Sequence, residues 1–322
     1  MESTLQESAK HIIENCVAIA PGTRALLIYD DSAKEVLESF KSQLERRGTV
    51  SLWKIPEPEM HGEEPSPELS REMLSVKVIL CITKYSLAHT NARRLANERG
   101  AVFLSMPGYN ADMMRLRAVR ADYKACLKTV EKASGLLTDA RKIEIRSATG
   151  TEVRLDVTGR KGNCCPGFVN ETYRLGSPPD VEANVAPLEE KTEGTIVVDG
   201  SITHERLGLL KVPVILRIAK GKIVDIDSED LVQKEALQKI MRSAGSEKAL
   251  VLGELGIGFN PEAKLCGNML VDEGTYGCVH FGFGSNWTIG GRNKVDFHLD
   301  FVIRKPTLTA DQTDILKEGA LL

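Results

Sequence analysis

The chain has 322 residues, 42% hydrophobic and 27% charged, the balance of a globular protein that buries a sizeable core. Lys and Arg number 42 against 45 Asp and Glu, a net charge of −3 in which nothing suggests nucleic acid or anionic membrane as the main partner. Seven cysteines without a CxxC spacing, a polar start without signal-peptide regions, and no apolar run of about 18 residues argue against a disulfide framework and a membrane span, so a cytoplasmic protein is expected.

In chain order, residues 4–19 carry helical periodicity and 24–30 (RALLIYD) read as a short buried strand. An amphipathic helix is predicted over 33–47 with Ser32 as its cap, then a strand over 49–54 and a polar, proline-rich loop over 56–68. A buried strand at 76–82, a helix near 87–98 opened by Ser86, and a strand at 101–105 follow. This alternation predicts a parallel sheet with flanking helices. A long helix over 122–140 reads as a connector, after which the pattern changes. Strands are predicted at 142–146, 152–157, 194–202, 212–219 and 222–226, with Gly221 in a hairpin turn. A helix near 230–244 precedes three more strands, within 249–260, 279–284 and 296–303. The expected organisation is an α/β domain over 1–130 and a β-rich domain over 131–322.

The chemistry concentrates in those last three strands. Successive strand residues point to opposite faces. In 249–260 (ALVLGELGIGFN), Glu254 therefore shares a face with Gly256 and Gly258. In 279–284 (VHFGFG), His280 shares a face with Gly282 and Gly284, while Val279, Phe281 and Phe283 anchor the other. In 296–303 (DFHLDFVI), His298 and Asp300 project to one side, about 7 Å apart along the strand. Glycine within a strand often marks the close approach of a ligand. An earlier candidate, Glu182, lies in the apolar stretch 179–187 (PDVEANVAP). A lone glutamate or histidine on a strand is ordinarily a surface or structural residue. The recurrence of the pattern on three strands is what points to a metal site. Carboxylates mixed with imidazole suit zinc, manganese, cobalt or iron, and five such groups suffice for two cations sharing a carboxylate. Cys164 and Cys165 read as idle thiols and His204 as a turn residue, and no Walker A, G-x-S-x-G or H-E-x-x-H motif is present.

The ordered set Glu254–Pro261, Asp272-Glu273, Gly277–Gly284, Gly290-Gly291-Arg292-Asn293 and His298-Leu299-Asp300 resembles the thermophilic metallo-aminopeptidase family. Upstream, Glu182 with Ala186-Pro187 and Gly194-Thr195-Ile196, Ser86–Arg94, and Met106-Pro107-Gly108 extend the resemblance over most of 80–303. It implies an α/β N-terminal domain and a barrel-like α+β C-terminal domain. Two divalent metals (Zn, Co or Mn) would be held by Glu182, Glu254, His280, His298 and Asp300. Glu273 would be the acidic catalytic residue or a further ligand. The implied protein is a homodimeric hydrolase removing N-terminal residues from short peptides. The family's active-site tyrosine falls on Trp287. A related branch is similar to 2,5-dihydroxypyridine dioxygenase, which implies instead a small-molecule substrate and one iron(II). His280, His298 and Asp300 would then supply the 2-His-1-carboxylate set, and Trp287 would pack against a flat substrate.

Overall fold

The computed structural model describes residues 2–17, 19–20 and 22–322, and the chain divides into two compact units. One comprises Met1–Ala125 with Cys165–Pro179, the other Cys126–Cys164 with Asp180–Leu322. The segment 165–179 thus returns to the first unit after the chain has already entered the second.

In the first unit, five strands lie in the order Gly48–Lys54, Thr23–Tyr29, Val78–Ile82, Val102–Ser105, Leu175–Gly176, each pair parallel. Leu26, Ile28, Ile79, Cys81 and Phe103 from the sheet pack with Leu69, Met73, Ala92 and Ala96 from helices. The strands read as continuous apolar runs because helices cover them. The first helix is Glu2–Asn15; the part of its predicted span that falls on Ala18 lies outside the described residues, as do Met1 and Pro21. Helix starts moved where another side chain captured the free amides. Asp30 accepts from Ser32 N at 2.9 Å, so a single tight turn forms at Asp31–Ala33 and the helix runs Leu37–Glu45. Ser86 Oγ accepts from Ala88 N at 3.0 Å, yet the next helix, Asn91–Glu98, is capped by Thr90. Ser66 caps a helix, Pro67–Met73, that begins inside the predicted loop.

The second unit is antiparallel and β-rich. Its eight-stranded sheet orders Lys222–Asp227, Val214–Ala219, Glu193–Val198, Glu152–Asp156, Lys142–Arg146, Thr307–Ala310, Thr313–Lys317 and Ala320–Leu321. The hairpin joining the first two turns on Lys220 and Gly221, both at positive φ (48° and 70°), as a twist-matched two-residue turn demands. The predicted strand 194–202 is broken at Asp199-Gly200. Glu193–Val198 stays in this sheet, and Ser201–Ile202 pairs with the other one. A Cβ on Gly200 would lie 2.5 Å from Val302 O, so only glycine lets the chain cross there.

The seven-stranded sheet carries four strands that matter below: β1 (Glu182–Val185), β2 (Leu252–Gly258), β3 (Val279–Gly284) and β4 (His298–Ile303). They are neighbours in the order β4, β3, β2, β1, all antiparallel. Val279, Phe281, Phe283, Leu299 and Phe301 are buried behind them, with the Phe283 and Phe301 rings edge-to-face at 5.3 Å. Among the described residues no helix is long and apolar enough to cross a membrane.

Phe301→Ala should destabilise the protein by about 3–5 kcal/mol, because it empties a fully buried ring site. Urea denaturation reads this, and a loss below about 1 kcal/mol would contradict the packing described.

Candidate metal centre

Strand register assembles the site. Glu254 on β2 stands opposite Gly282 on β3, and Gly282 opposite Asp300 on β4. In the adjacent rows Gly256 faces His280, Gly284 faces His298, and Gly258 faces Glu182 on β1. Chelating groups and glycines therefore alternate over one face. The glycines are needed for space. A Cβ on Gly256 would sit 2.1 Å from the His280 ring and 2.9 Å from Glu182 Oε2, and one on Gly282 2.6 Å from His298 Nε2 and 2.8 Å from Asp300 Oδ1.

All five candidate ligands reach this face, as two groups that share Glu254. Glu182, Glu254 and His280 form one, and Glu254, His298 and Asp300 the other, with ligand atoms within 4.8 Å of one another in each. The completing partner of His298 and Asp300 is Glu254 rather than His280. In the first group His280 Nε2 is 3.0 Å from Glu182 Oε2 and 3.9 Å from Glu254 Oε1. In the second, His298 Nε2 is 3.1 Å from Asp300 Oδ1 and 3.3 Å from Glu254 Oε2. His298 is the solvent-facing member, its side chain 30% exposed against 10% or less for the others.

Two features fit a cation. His298 Nδ1 lies 2.9 Å from the Ser285 carbonyl, which can only accept, so Nδ1 carries a proton and Nε2 is left to face the acids. Glu182 Oε2, although close to His280, has no aligned hydrogen bond among the described residues, and neither has His280 Nδ1. A buried carboxylate oxygen without a partner is costly, and a cation beside Glu182 Oε2 relieves that cost.

The charge balance points the same way. Burial alone would raise the Glu254 carboxyl, yet the neighbouring imidazoles of His280 and His298 lower it to about 2. Asp300 is likewise held below the carboxylate range, mainly by His298 against its own burial. Burial opposes charge on both imidazoles, but Glu182 and Glu254 raise His280, and Asp300 and Glu254 raise His298, well above the usual histidine value. Protons thus take a cation's place when none is bound.

Glu273 ends the short helix Met269–Asp272. Burial and the nearby Asp300 and Asp180 push its carboxyl well up, and it hydrogen-bonds to Asp300. Asp180, not singled out in the sequence, is also raised by burial and by Glu182. One oxygen of each, Glu273 Oε1 and Asp180 Oδ1, has no hydrogen-bond partner among the described residues. Asn184, also missed, donates to Glu182 Oε1 at 2.6 Å. The alternation rule applied to 180–184 places Asp180, Glu182 and Asn184 on one face and would have found both. Trp287 is 59% exposed in the turn Trp287–Ile289 after β3. His204 Nδ1 accepts from Arg206 N in its own turn. No cysteine joins a candidate metal group among the described residues.

A profile of the 2,5-dihydroxypyridine 5,6-dioxygenase (NicX) family matches residues 59–322. The chain belongs to that family. A curated relative, 2,5-dihydroxypyridine 5,6-dioxygenase of Pseudomonas putida KT2440, is 25% identical over 202 residues, spanning 60% of this chain and 57% of that protein. In three dimensions the chain is similar to 2,5-dihydroxypyridine dioxygenase from P. putida KT2440, with a TM-score of 0.83, 18% identity, and 100% of this chain and 98% of that one covered. It is also similar to wild-type AmpT from Thermus thermophilus, with a TM-score of 0.72, 15% identity, and 100% and 99% covered.

These findings correct the expectation of a hydrolase. The aminopeptidase likeness is one of fold, whereas sequence membership lies with the oxygenases, so the aminopeptidase and metalloprotease assignments do not stand. The physical reason for the error is that one carboxylate–imidazole face suits either chemistry. The chain spans about half the length of that curated relative, and its two carboxylate–imidazole groups could hold a metal ion.

Gly282→Ala should block the cation site without unfolding the sheet. Metal content after anaerobic iron(II) loading should fall by about tenfold or more with an unchanged far-UV spectrum. Parental stoichiometry in that variant would contradict the site.

Proposed function

We propose that the protein is a dioxygenase that opens an electron-rich, hydroxylated nitrogen heterocycle, with 2,5-dihydroxypyridine the first substrate to test, and that it uses one iron(II). The C5–C6 bond breaks and both atoms of dioxygen end in the product, so substrate plus O₂ balances without another reductant. Supporting this reading is family membership over 59–322. The single observation that carries the metal assignment is the convergence of Asp300 Oδ1 and Glu254 Oε2 to within 3.3 Å of His298 Nε2.

His298, Asp300 and Glu254 would hold the cation. This group is preferred because His298 is anchored through Nδ1 and faces solvent, where a small molecule can reach it. When bound, iron(II) supplies the one-electron chemistry that lets dioxygen react with a closed-shell ring. The residues around it then have separate tasks. The Ser285 carbonyl keeps the His298 ring in one tautomer and one orientation. Glu182 and His280, 3.0 Å apart, form a buried pair that holds a proton between its carboxylate and imidazole beside the cation. Glu273 donates a proton toward Asp300 and fixes that carboxylate. Trp287, exposed beside the end of β3, offers a flat apolar face to an aromatic ring.

The test is oxygen uptake by anaerobically iron-loaded protein mixed with 2,5-dihydroxypyridine, followed with loss of the substrate's near-UV band. We expect one O₂ consumed per substrate, and at least about a hundredfold loss in kcat for His298→Ala and Asp300→Asn. Uptake no faster than free iron(II), with metal bound, would contradict the proposal.

A further inference from the structure

The turn bearing Trp287 is held at two points. On one side is a buried clamp. Arg160, whose side chain is 8% exposed, donates Nη1 to Gly290 O at 2.5 Å and Nη2 to Glu189 Oε2 at 2.6 Å. Glu189 Oε1 accepts in turn from Asn286 Nδ2 at 3.1 Å and from Arg292 N at 2.6 Å. The base of the loop is closed by Asn286 N donating to Asn293 O and Asn293 N donating to Asn286 Oδ1. This clamp involves no candidate ligand.

The second hold leads to the metal site. Asn163 Nδ2 donates to Ile289 O at 3.1 Å, inside the Trp287 turn. The same nitrogen donates to Asn184 Oδ1 at 2.8 Å. Asn184 Nδ2 donates to Glu182 Oε1 at 2.6 Å. Three hydrogen bonds thus run without a gap from a loop carbonyl to a carboxylate of the cation cluster. Their polarity is forced. Ile289 O can only accept, so Asn163 must present its NH₂; Asn184 must then present its oxygen to Asn163, which leaves its NH₂ for Glu182. Reversing either amide would set oxygen against oxygen. Asn184 is 3% exposed, so the central bonds have little water to compete with them.

We propose that Asn163 and Asn184 are positioning residues that couple the Trp287 turn to the state of the metal site through Glu182. A cation held at Glu254, beside the Glu182–His280 pair, attracts the Glu182 carboxylate by its charge and weakens its hold on Asn184 Nδ2. That change passes through Asn163 to Ile289 O, while the Arg160–Glu189 clamp keeps the rest of the loop in place. The turn's response to the site is then specific to residues 287–289. The inference rests on the reading of the cluster as a cation site.

Trp53 and Trp287 are the only tryptophans, so Trp53→Phe leaves Trp287 as the sole indole reporter. In that background, full-length protein is titrated with Zn(II), a closed-shell ion that does not itself quench indole. Trp287 emission and its quenching by acrylamide are recorded, and bound Zn(II) is measured by equilibrium dialysis. We expect Zn(II) to change Trp287 quenching in the parent. Asn163→Ala should bind Zn(II) within about threefold of the parent, under 1 kcal/mol, yet lose that change. Asn163→Gln, which keeps the donor, should restore part of it. A merely structural role for Asn163 would shift the quenching baseline and leave the Zn(II)-dependent change intact, which would overturn the coupling. If dialysis shows no Zn(II) bound to the parent, the cation-site reading fails separately. The coupling to the cation then falls with it, and only the hydrogen-bond line itself is judged on metal-free protein, where Asn163→Ala and Asn184→Ala must both raise Trp287 quenching. Parental quenching in either variant would overturn it.

Discussion

Glu254, Gly282 and Asp300 stand side by side on three neighbouring strands, and this single row of the sheet sets the rest of the site. Two carboxylates brought that close under burial repel each other, and only positive charge between them makes the arrangement tolerable. The imidazoles of His280 and His298 supply it in part, each drawn toward the charged form by the acids around it. A divalent cation supplies it better, because it answers several lone pairs at once. The missing side chains at Gly256 and Gly282 are what leave room for the rings that stand there. The apolar layer behind, with Phe281 and Phe301 fully buried, keeps the row from relaxing outward.

Much of this arrangement is legible from alternation alone. A strand's two-residue period puts Glu254 with Gly256, His280 with Gly282, and His298 with Asp300 before any coordinates are known, because a side chain's face depends only on parity. What parity cannot supply is which strands lie side by side. The grouping of His298 and Asp300 with Glu254 rather than with His280 comes from the antiparallel register, a long-range property. Asp180 and Asn184 went unnoticed for a different reason. Glu182 stands out there as an acid in apolar surroundings, and Asp180 and Asn184 share its parity without that contrast.

The fold was legible where elements are long and periodic, and lost where short-range chemistry competes. Asp30 captures the amide that Ser32 would need to start a helix, which moves the helix start by four residues, just over a turn. Gly200 divides one apolar run between two sheets. The last strands, Thr307–Ala310, Thr313–Lys317 and Ala320–Leu321, turn on Lys305, Asp311 and Glu318 at positive φ. Lys and Glu seldom mark such a position and Asp311 has no glycine after it, so no Asn-Gly or Gly-Gly pair marks these hairpins. Function was misjudged one level higher. The fold is shared with both AmpT and a 2,5-dihydroxypyridine dioxygenase, and only the family match over 59–322 separates the two readings.

The account stands or falls on where a cation sits. Crystals loaded anaerobically with iron(II) and measured at the iron absorption edge give that position directly. An anomalous peak within ligand distance of His298 Nε2, Asp300 and Glu254 is the predicted result. Full iron incorporation with the peak elsewhere, or with the Glu254 side chain turned away from the ion, would contradict it.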